Sequence, residues 1–175
     1  GISFSWKTGE AYYLKVESSK SKVESDLFNY KKSGEEQNDW LKKLKPIFEN
    51  EKIKKYGHNI KFDIEVMASQ GINVKGVAAD SMIASYLLNP GSRQHNLDAV
   101  TFSEFNHVKI SKEDLLGKGK DKIVFSEVPV ERLYNYSCED ADFTNRLIKK
   151  LIPELKTQKL IKLFEEMEMP LVLVL

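Results

Sequence analysis

Between Val130 and Leu151 the chain keeps one rhythm: Val130, Tyr134, Ser137, Ala141, Thr144, Ile148 and Leu151 follow one another at three- or four-residue steps. That period puts them on one side of a long helix, and Tyr136, Asp140, Phe143 and Leu147 line the face beside them. The segments ahead of this helix are shorter and alternate in type. Ile2, Phe4 and Trp6 alternate with Ser3, Ser5 and Lys7, and Tyr12, Tyr13 and Val16 favour strand, so 2–7 and 11–16 read as a hairpin around Lys7-Thr8-Gly9-Glu10. Residues 17–37 are polar and read as a surface excursion. Trp40, Leu41, Leu44, Ile47 and Phe48 predict a helix over about 37–49, with Pro46 kinking it or opening a new turn. A strand is expected over 52–57. Asn59 then caps a helix with Ile60, Ile64, Met67 and Ala68 inward and Gly71 at its end. A second strand is expected over 74–79, followed by a helix capped by Asp80, with Ile83, Tyr86 and Leu87 inward, stopped at Asn89-Pro90-Gly91. Residues 92–130 hold short helical patches and a Lys-rich loop, and a last helix covers about 154–167. The order predicts an α/β chain with an antiparallel start and later parallel crossovers.

Composition narrows the function classes only a little. Charges nearly balance, 27 basic against 26 acidic residues, so the chain as a whole does not advertise nucleic-acid binding, although a local basic patch would suffice. The one cysteine, Cys138, excludes an internal disulfide and suits a reducing compartment. No apolar run is long enough to span a membrane. The chain opens directly on a strand and closes on the apolar Pro170-Leu171-Val172-Leu173-Val174-Leu175, so both ends are read as cuts through a longer polypeptide.

Two short stretches carry the chemistry. In Asn59-Ile60-Lys61-Phe62-Asp63 and in Tyr136-Ser137-Cys138-Glu139-Asp140, an Asp follows a polar partner by four residues, so both share a helix face. Two carboxylates converging from separate helices are what a pair of divalent cations needs. Mg²⁺ prefers oxygen ligands, and a two-metal site stabilises the attacking and leaving oxygens of a phosphodiester displacement. Each stretch also has a plainer reading: Asn59 as an N-cap with Asp63 as a first-turn acid, and Tyr136 as core packing with its hydroxyl at the rim. Glu139 and Asp142 make the second stretch acidic, which costs repulsion unless cations compensate. The loop Gly117-Lys118-Gly119-Lys120-Asp121-Lys122 lacks the spacing of a P-loop; it suits backbone phosphates or a solvated loop equally. Arg93, Gln94 and His95 precede Leu97-Asp98 and either reach a phosphate or cap that helix. His58, His95 and His107 are not spaced as a zinc site, and no Gly-x-Ser-x-Gly elbow occurs.

Taken in order, these residues resemble the 3′–5′ exonuclease (proofreading) domain of the family A DNA polymerases, across essentially the whole chain. Tyr56-Gly57-His58-Asn59-Ile60-Lys61-Phe62-Asp63 resembles that family's second exonuclease motif, and Tyr136-Ser137-Cys138-Glu139-Asp140-Ala141-Asp142 its third, in the tyrosine-bearing version. Between them lie similar landmarks: Asp80-Ser81-Met82, Ser85-Tyr86-Leu87-Leu88-Asn89, His95-Asn96-Leu97-Asp98 and Gly117-Lys118-Gly119-Lys120. The resemblance implies a ribonuclease-H-like mixed sheet flanked by helices and a two-metal exonuclease using Mg²⁺ or Mn²⁺. In it Asp140 and Asp63 would hold metal, and Tyr136 would orient the attacking water. Asn59, His58, Arg93, Gln94, His95, Lys118 and Lys120 would meet the DNA. The implied partners are a single-stranded or frayed DNA 3′ end and a polymerase domain in the same polypeptide, in the bacterial cytoplasm at the nucleoid. On this reading residues 1–165 form the exonuclease-like domain and 166–175 begin the join to the polymerase.

One departure stands out. The family's first motif, an Asp-x-Glu on a strand just upstream of the stretch resembling Gly1-Ile2-Ser3-Phe4, has no counterpart here, and Glu10 and Glu17 do not form that pattern. That strand would be the sheet centre, between Ile2–Trp6 and Lys52–Gly57. These 175 residues alone are therefore expected to be inactive and poorly stable. Two rivals follow from the same residues: a catalytically vestigial scaffold of a polymerase, and a ribonuclease-D-like RNA 3′-exonuclease. The polymerase-like tail and the Gly-Lys-Gly-Lys loop count against the second.

Overall fold

The hairpin forms where the alternation places it. In the computed structural model, which describes residues 1–15, 39–119 and 122–174, β1 (Ile2–Lys7) pairs antiparallel with β2 (Glu10–Leu14), Ile2 facing Leu14 and Phe4 facing Tyr12. Gly9 turns the corner at φ 83°, a conformation that carries no penalty without a Cβ. The register shifts between Phe4 and Lys7, and Trp6 stands 67% exposed, stacked on Tyr12 at 4.6 Å. The expected end of β2 at Val16, the polar excursion over 17–37 with Glu17, the first residues of the helix expected from 37, and Lys120 lie outside the described residues.

Helix α1 (Asp39–Phe48) carries Pro46 inside it rather than beginning a new turn there. Phe48 meets Phe4 at 6.0 Å, which seats α1 against the hairpin. Strand β3 (Lys55–Gly57) runs parallel to β4 (Val77–Asp80), with Gly57 opposite Asp80; both are shorter than the apolar patterns predicted. Between them runs α2 (Ile60–Ser69), and after β4 come α3 (Ser81–Leu88), α4 (Leu97–Phe105) and the short α5 (Lys112–Leu116). The long helix α6 (Val130–Thr157) does not stop at Leu151 but continues through Pro153, correcting the expected break. The chain then turns at Lys159, φ 62°, into α7, made of Ile161–Leu163, the π-helical Phe164–Glu168 and Met169–Val172.

The inward face of α6 departs from the strongest periodicity at its N-terminal end and keeps Ile148 and Leu151 of it. Val130 and Tyr134 are exposed, whereas Phe143, Leu147, Ile148, Leu151 and Leu155 are buried. The first half of α6 meets the strap after α4 and the cluster about Leu115, the hairpin bonds along it from Asp142 to Lys149, and only the second half enters the main core. That core joins Leu147, Leu151 and Leu155 to Ala84 and Leu88 of α3, Val100 of α4, and Phe164 and Met169 of α7. A satellite cluster of Leu115, Leu116 and Val128 packs near Leu133 and Tyr136.

Among the described residues β1 and β2 form one two-stranded sheet and β3 and β4 another. Helix α6 packs against β1, β2 and β3, so it backs both. The hairpin is tied to it by polar bonds: Gly9 N donates to Asp142 Oδ1 at 2.7 Å, Asn145 Nδ2 to Ser5 Oγ at 2.9 Å and Lys149 Nζ to Thr8 Oγ1 at 2.9 Å. The α/β class therefore stands, with antiparallel pairing first and parallel pairing after. No helix among the described residues is long and apolar enough to cross a membrane.

Candidate active site

One enclosed carboxylate builds the entrance to α2. Asp80, 2% exposed, caps α3 as its position predicts, accepting from Met82 N at 2.7 Å and Ile83 N at 3.4 Å. It also reaches across the parallel pair and accepts from Ile60 N at 2.7 Å and Asn59 N at 3.2 Å. Two helix N-termini thus share one anion, which suits the unpaired N–H groups and dipoles of both. Asn59 itself is left-handed, φ 58°, and makes no side-chain cap bond, so the capping role expected of it belongs to Asp80. Gly57 makes the tight step possible, because a Cβ there would stand 2.6 Å from Ile60 Cβ.

Asp63 rises in the first turn of that helix. Although much of its surface is open, the atoms packed about its carboxyl, together with the charge of Asp80, push it up to about 6. His58 sits just before it with its ring turned inward. Ser81 Oγ donates to Gly57 O at 3.1 Å, so His58 Nδ1, 2.9 Å from that oxygen, is the donor of its pair. Burial lowers the His58 pKa; Asp80 and Asp98 oppose that, and Lys109 adds to it. His58 therefore stands between the Asp80 side of the site and the Asp98–Lys109 side.

The third-motif residues lie on the first half of α6. Burial pushes the Asp140 carboxyl up against the pull of Lys109, with Asp98 and Glu139 adding repulsion. Tyr136 is pushed up to about 12 by burial, by the charges of Asp140 and Asp98, and by a hydrogen bond with Asp140. Its hydroxyl is thus a firm proton donor beside that carboxylate. The acidic run is compensated residue by residue. Glu139 accepts from His107 Nε2 at 2.8 Å and Ile110 N at 2.7 Å, Asp142 pairs with Arg146 at 2.7 Å, and Asp140 is in direct contact with Lys109 Nζ.

The remaining predicted residues spread over the neighbourhood. Asn59, Arg93 and Gln94 are exposed, while the His95 ring faces inward, Nδ1 at 3.0 Å from Ser85 Oγ and edge-on to Tyr86 at 5.4 Å. Lys118 pairs with Glu113 at 2.8 Å on the surface. Sequence reasoning passed over His107, Lys109 and Asp98. Nothing in the pattern sets Lys109 apart from the other lysines; the alternation at 107–110 even misleads, since Val108 is 78% exposed and Lys109 only 4%.

With this geometry in view, comparison with known proteins is decisive. A family model described as 3′–5′ exonuclease, belonging to the family A DNA polymerases, matches residues 1–156. The chain belongs to that exonuclease family. DNA polymerase I of Pseudomonas aeruginosa is 35% identical over 178 residues, taking in 100% of this chain and 19% of that protein. DNA polymerase I of Borreliella burgdorferi is 36% identical over 171 residues (97% and 17%), and that of Bacillus subtilis 31% over 175 residues (100% and 17%). The exonuclease chain thus spans less than a fifth of the length of these relatives. A solved structure, the POL domain of Pol1 from M. smegmatis in complex with DNA primer-template and dNTP, shares the fold over 74% of this chain and 19% of its own, with TM-score 0.57 and 20% identity.

The exonuclease family uses divalent metal, and the donor chemistry of Asp63 and Asp140 suits Mg²⁺ or Mn²⁺. Their number does not: among the described residues no three His, Cys, Asp or Glu side chains come together to hold an ion, and Asp140 already carries Lys109. These residues alone do not fit a two-ion site.

Proposed function

We propose that the chain is the proofreading region of a DNA polymerase I and removes nucleotides from the 3′ end of single-stranded or frayed DNA. The observation that carries this reading is that the helix bearing one motif packs against the strand that leads into the other. Helix α6, bearing Tyr136 and Asp140, packs against β3, whose end delivers His58, Asn59 and Asp63. The proposed cofactor is Mg²⁺ or Mn²⁺, with Asp63 and Asp140 among its ligands; an Asp-x-Glu strand upstream of Gly1 would complete the set. In support of such a strand, β1 pairs only with β2 and β3 only with β4 among the described residues, while α6 backs both pairs. Asn59, Arg93, Gln94, Lys118 and Lys120 would line the DNA path, with His58 and His95 beneath it. The polymerase domain of the same polypeptide would follow from about residue 166, and a bacterial, nucleoid-associated setting in the cytoplasm fits this role.

The test is digestion of 5′-labelled single-stranded DNA with Mn²⁺ by this chain, by a version extended upstream, and by Asp63→Ala, Asp140→Ala and Tyr136→Phe in the extended version. Cutting by the extended chain alone, lost in both Asp variants, supports the reading. A second reading, a scaffold without catalysis, is favoured by the lysine seated on Asp140; an extended chain that folds and never cuts would establish it.

A further inference from the structure

Among the described residues one enclosed cation, Lys109, lies on Asp140, and the proposed activity does not call for it. Lys109 sits in a segment without helix or strand, yet its side chain is wholly enclosed, a rare state for lysine. Its ammonium touches Asp140, stands 3.4 Å from Asp98 and lies 5.6 Å from the centre of the Tyr136 ring. Two carboxylate oxygens and a π face are the surroundings a small cation takes. The placement is built rather than incidental. The strap that delivers Lys109 is fastened on both sides of it by Glu139, through His107 and the Ile110 N–H, and His107 stacks on Phe143 at 4.4 Å.

We propose that Lys109 is a positioning residue that occupies the cation position at Asp140, so that a divalent ion binds there only by displacing the ammonium. This rests on the metal-dependent exonuclease reading. A dication and an ammonium cannot both sit against one carboxylate without strong repulsion. Lysine is suited to yielding: its charge is a compact point on a flexible four-carbon stem, and it makes no bidentate lock as arginine would. The lysine keeps Asp98 and Asp140 together until the ion arrives, and it lowers the site's affinity by the work of removing it.

The experiment uses the full-length parent polypeptide and Mn²⁺ alone, titrated by the paramagnetic resonance signal of the free ion. Asp140→Ala identifies which bound Mn²⁺ belongs to this site. Lys109→Met, similar in length and uncharged, is expected to tighten that Asp140-dependent binding at least tenfold, about 1.4 kcal/mol. Lys109→Arg, which keeps the charge, is expected not to tighten it. Equal or weaker Mn²⁺ binding by a folded Lys109→Met overturns the proposal, because a lysine that only braces the strap has no reason to oppose the ion. If Lys109→Met does not fold, the unaltered polypeptide decides. Amine labelling read by peptide mass spectrometry should show Lys109 protected without metal and labelled at least fivefold faster at saturating Mn²⁺, with exposed Lys112 as the internal standard. Labelling that Mn²⁺ leaves unchanged overturns it equally. The DNA digestion judges the exonuclease reading; Mn²⁺ affinity and labelling judge Lys109, so the two can fail separately.

Discussion

Asp80 should be the most consequential single carboxylate for the shape of the site, although it touches no proposed substrate. It accepts two short bonds, from Ile60 N and Met82 N at 2.7 Å each, and two longer ones at 3.2 and 3.4 Å. Hydrogen bonds to a charged acceptor contribute about 1.5–3 kcal/mol each, and the longer pair adds little. Asp80→Ala removes both short bonds and strands enclosed N–H groups at two helix starts, for an expected loss of about 3–5 kcal/mol. Asp80→Asn separates the contributions. Oδ1 serves Met82 and Oδ2 serves Ile60, so whichever way the amide turns, one short bond is lost, at about 1.5–3 kcal/mol. Urea unfolding followed by ellipticity, on a polypeptide extended upstream, measures both. The same substitution must move Asp63. Its folded carboxyl is raised from 3.8 to about 6, first by burial and then by Asp80. A folded value above the unfolded one means a contribution to stability that is complete below about 3.8 and lost as pH rises through about 6. Asp80→Asn should lower the Asp63 midpoint, read by carboxyl carbon NMR, and flatten the fall in stability across that window. An Asp80→Asn variant within about 0.5 kcal/mol of the parent, or an unmoved Asp63, would refute the double-cap account.

Other changes test separate parts. Leu151→Ala, at a position with 0% exposure in the main core, should cost about 2–5 kcal/mol in the same unfolding assay. Gly57→Ala, forcing a Cβ to 2.6 Å from Ile60, should cost about 1–3 kcal/mol and slow DNA digestion by shifting the start of α2. Glu139→Ala should free the strap at His107 and Ile110, seen as faster amine labelling of Lys109 without metal. Extending the chain upstream through one strand should protect the amides of β1 and β3 from hydrogen exchange; unprotected amides there would remove the case for a strand between them.

Local pattern is enough to place most elements, because most of them are specified locally. The alternation at Ile2–Trp6, the cap at Asp80 and the long 3/4 period each follow from neighbours in sequence. What escapes is what depends on the partner. The stripe from Val130 to Leu151 has one spacing throughout, but Val130 and Tyr134 lie where little covers them, whereas Ile148 and Leu151 are buried together with Phe143 and Leu147 of the adjoining face. Pro153 reads as a break, yet the second half of α6 is held by the main core on both sides of it, through Leu151 and Leu155, and packing outweighs one lost backbone bond.

The site divides in the same way. The four-residue step from Tyr136 to Asp140 is kept within α6, whereas Asn59 is left-handed and precedes α2, so the helix face expected for Asn59 and Asp63 does not form. The residues that compensate the acidic run are not readable, because charge compensation acts through space and leaves no spacing. Glu139, Asp140 and Asp142 in sequence look mutually repulsive; in the fold each finds its own cation or donor, in the strap, in Lys109 and in Arg146. Of these, only Lys109 is enclosed, and enclosure changes its meaning. An exposed pair adds little to stability, and an enclosed pair is commonly matched by apolar residues of the same volume. A core position that stability alone governed would therefore accept methionine beside Tyr136. A lysine there is what the proposed cation position at Asp140 calls for: an ammonium without a bidentate hold, set between Asp140 and Asp98.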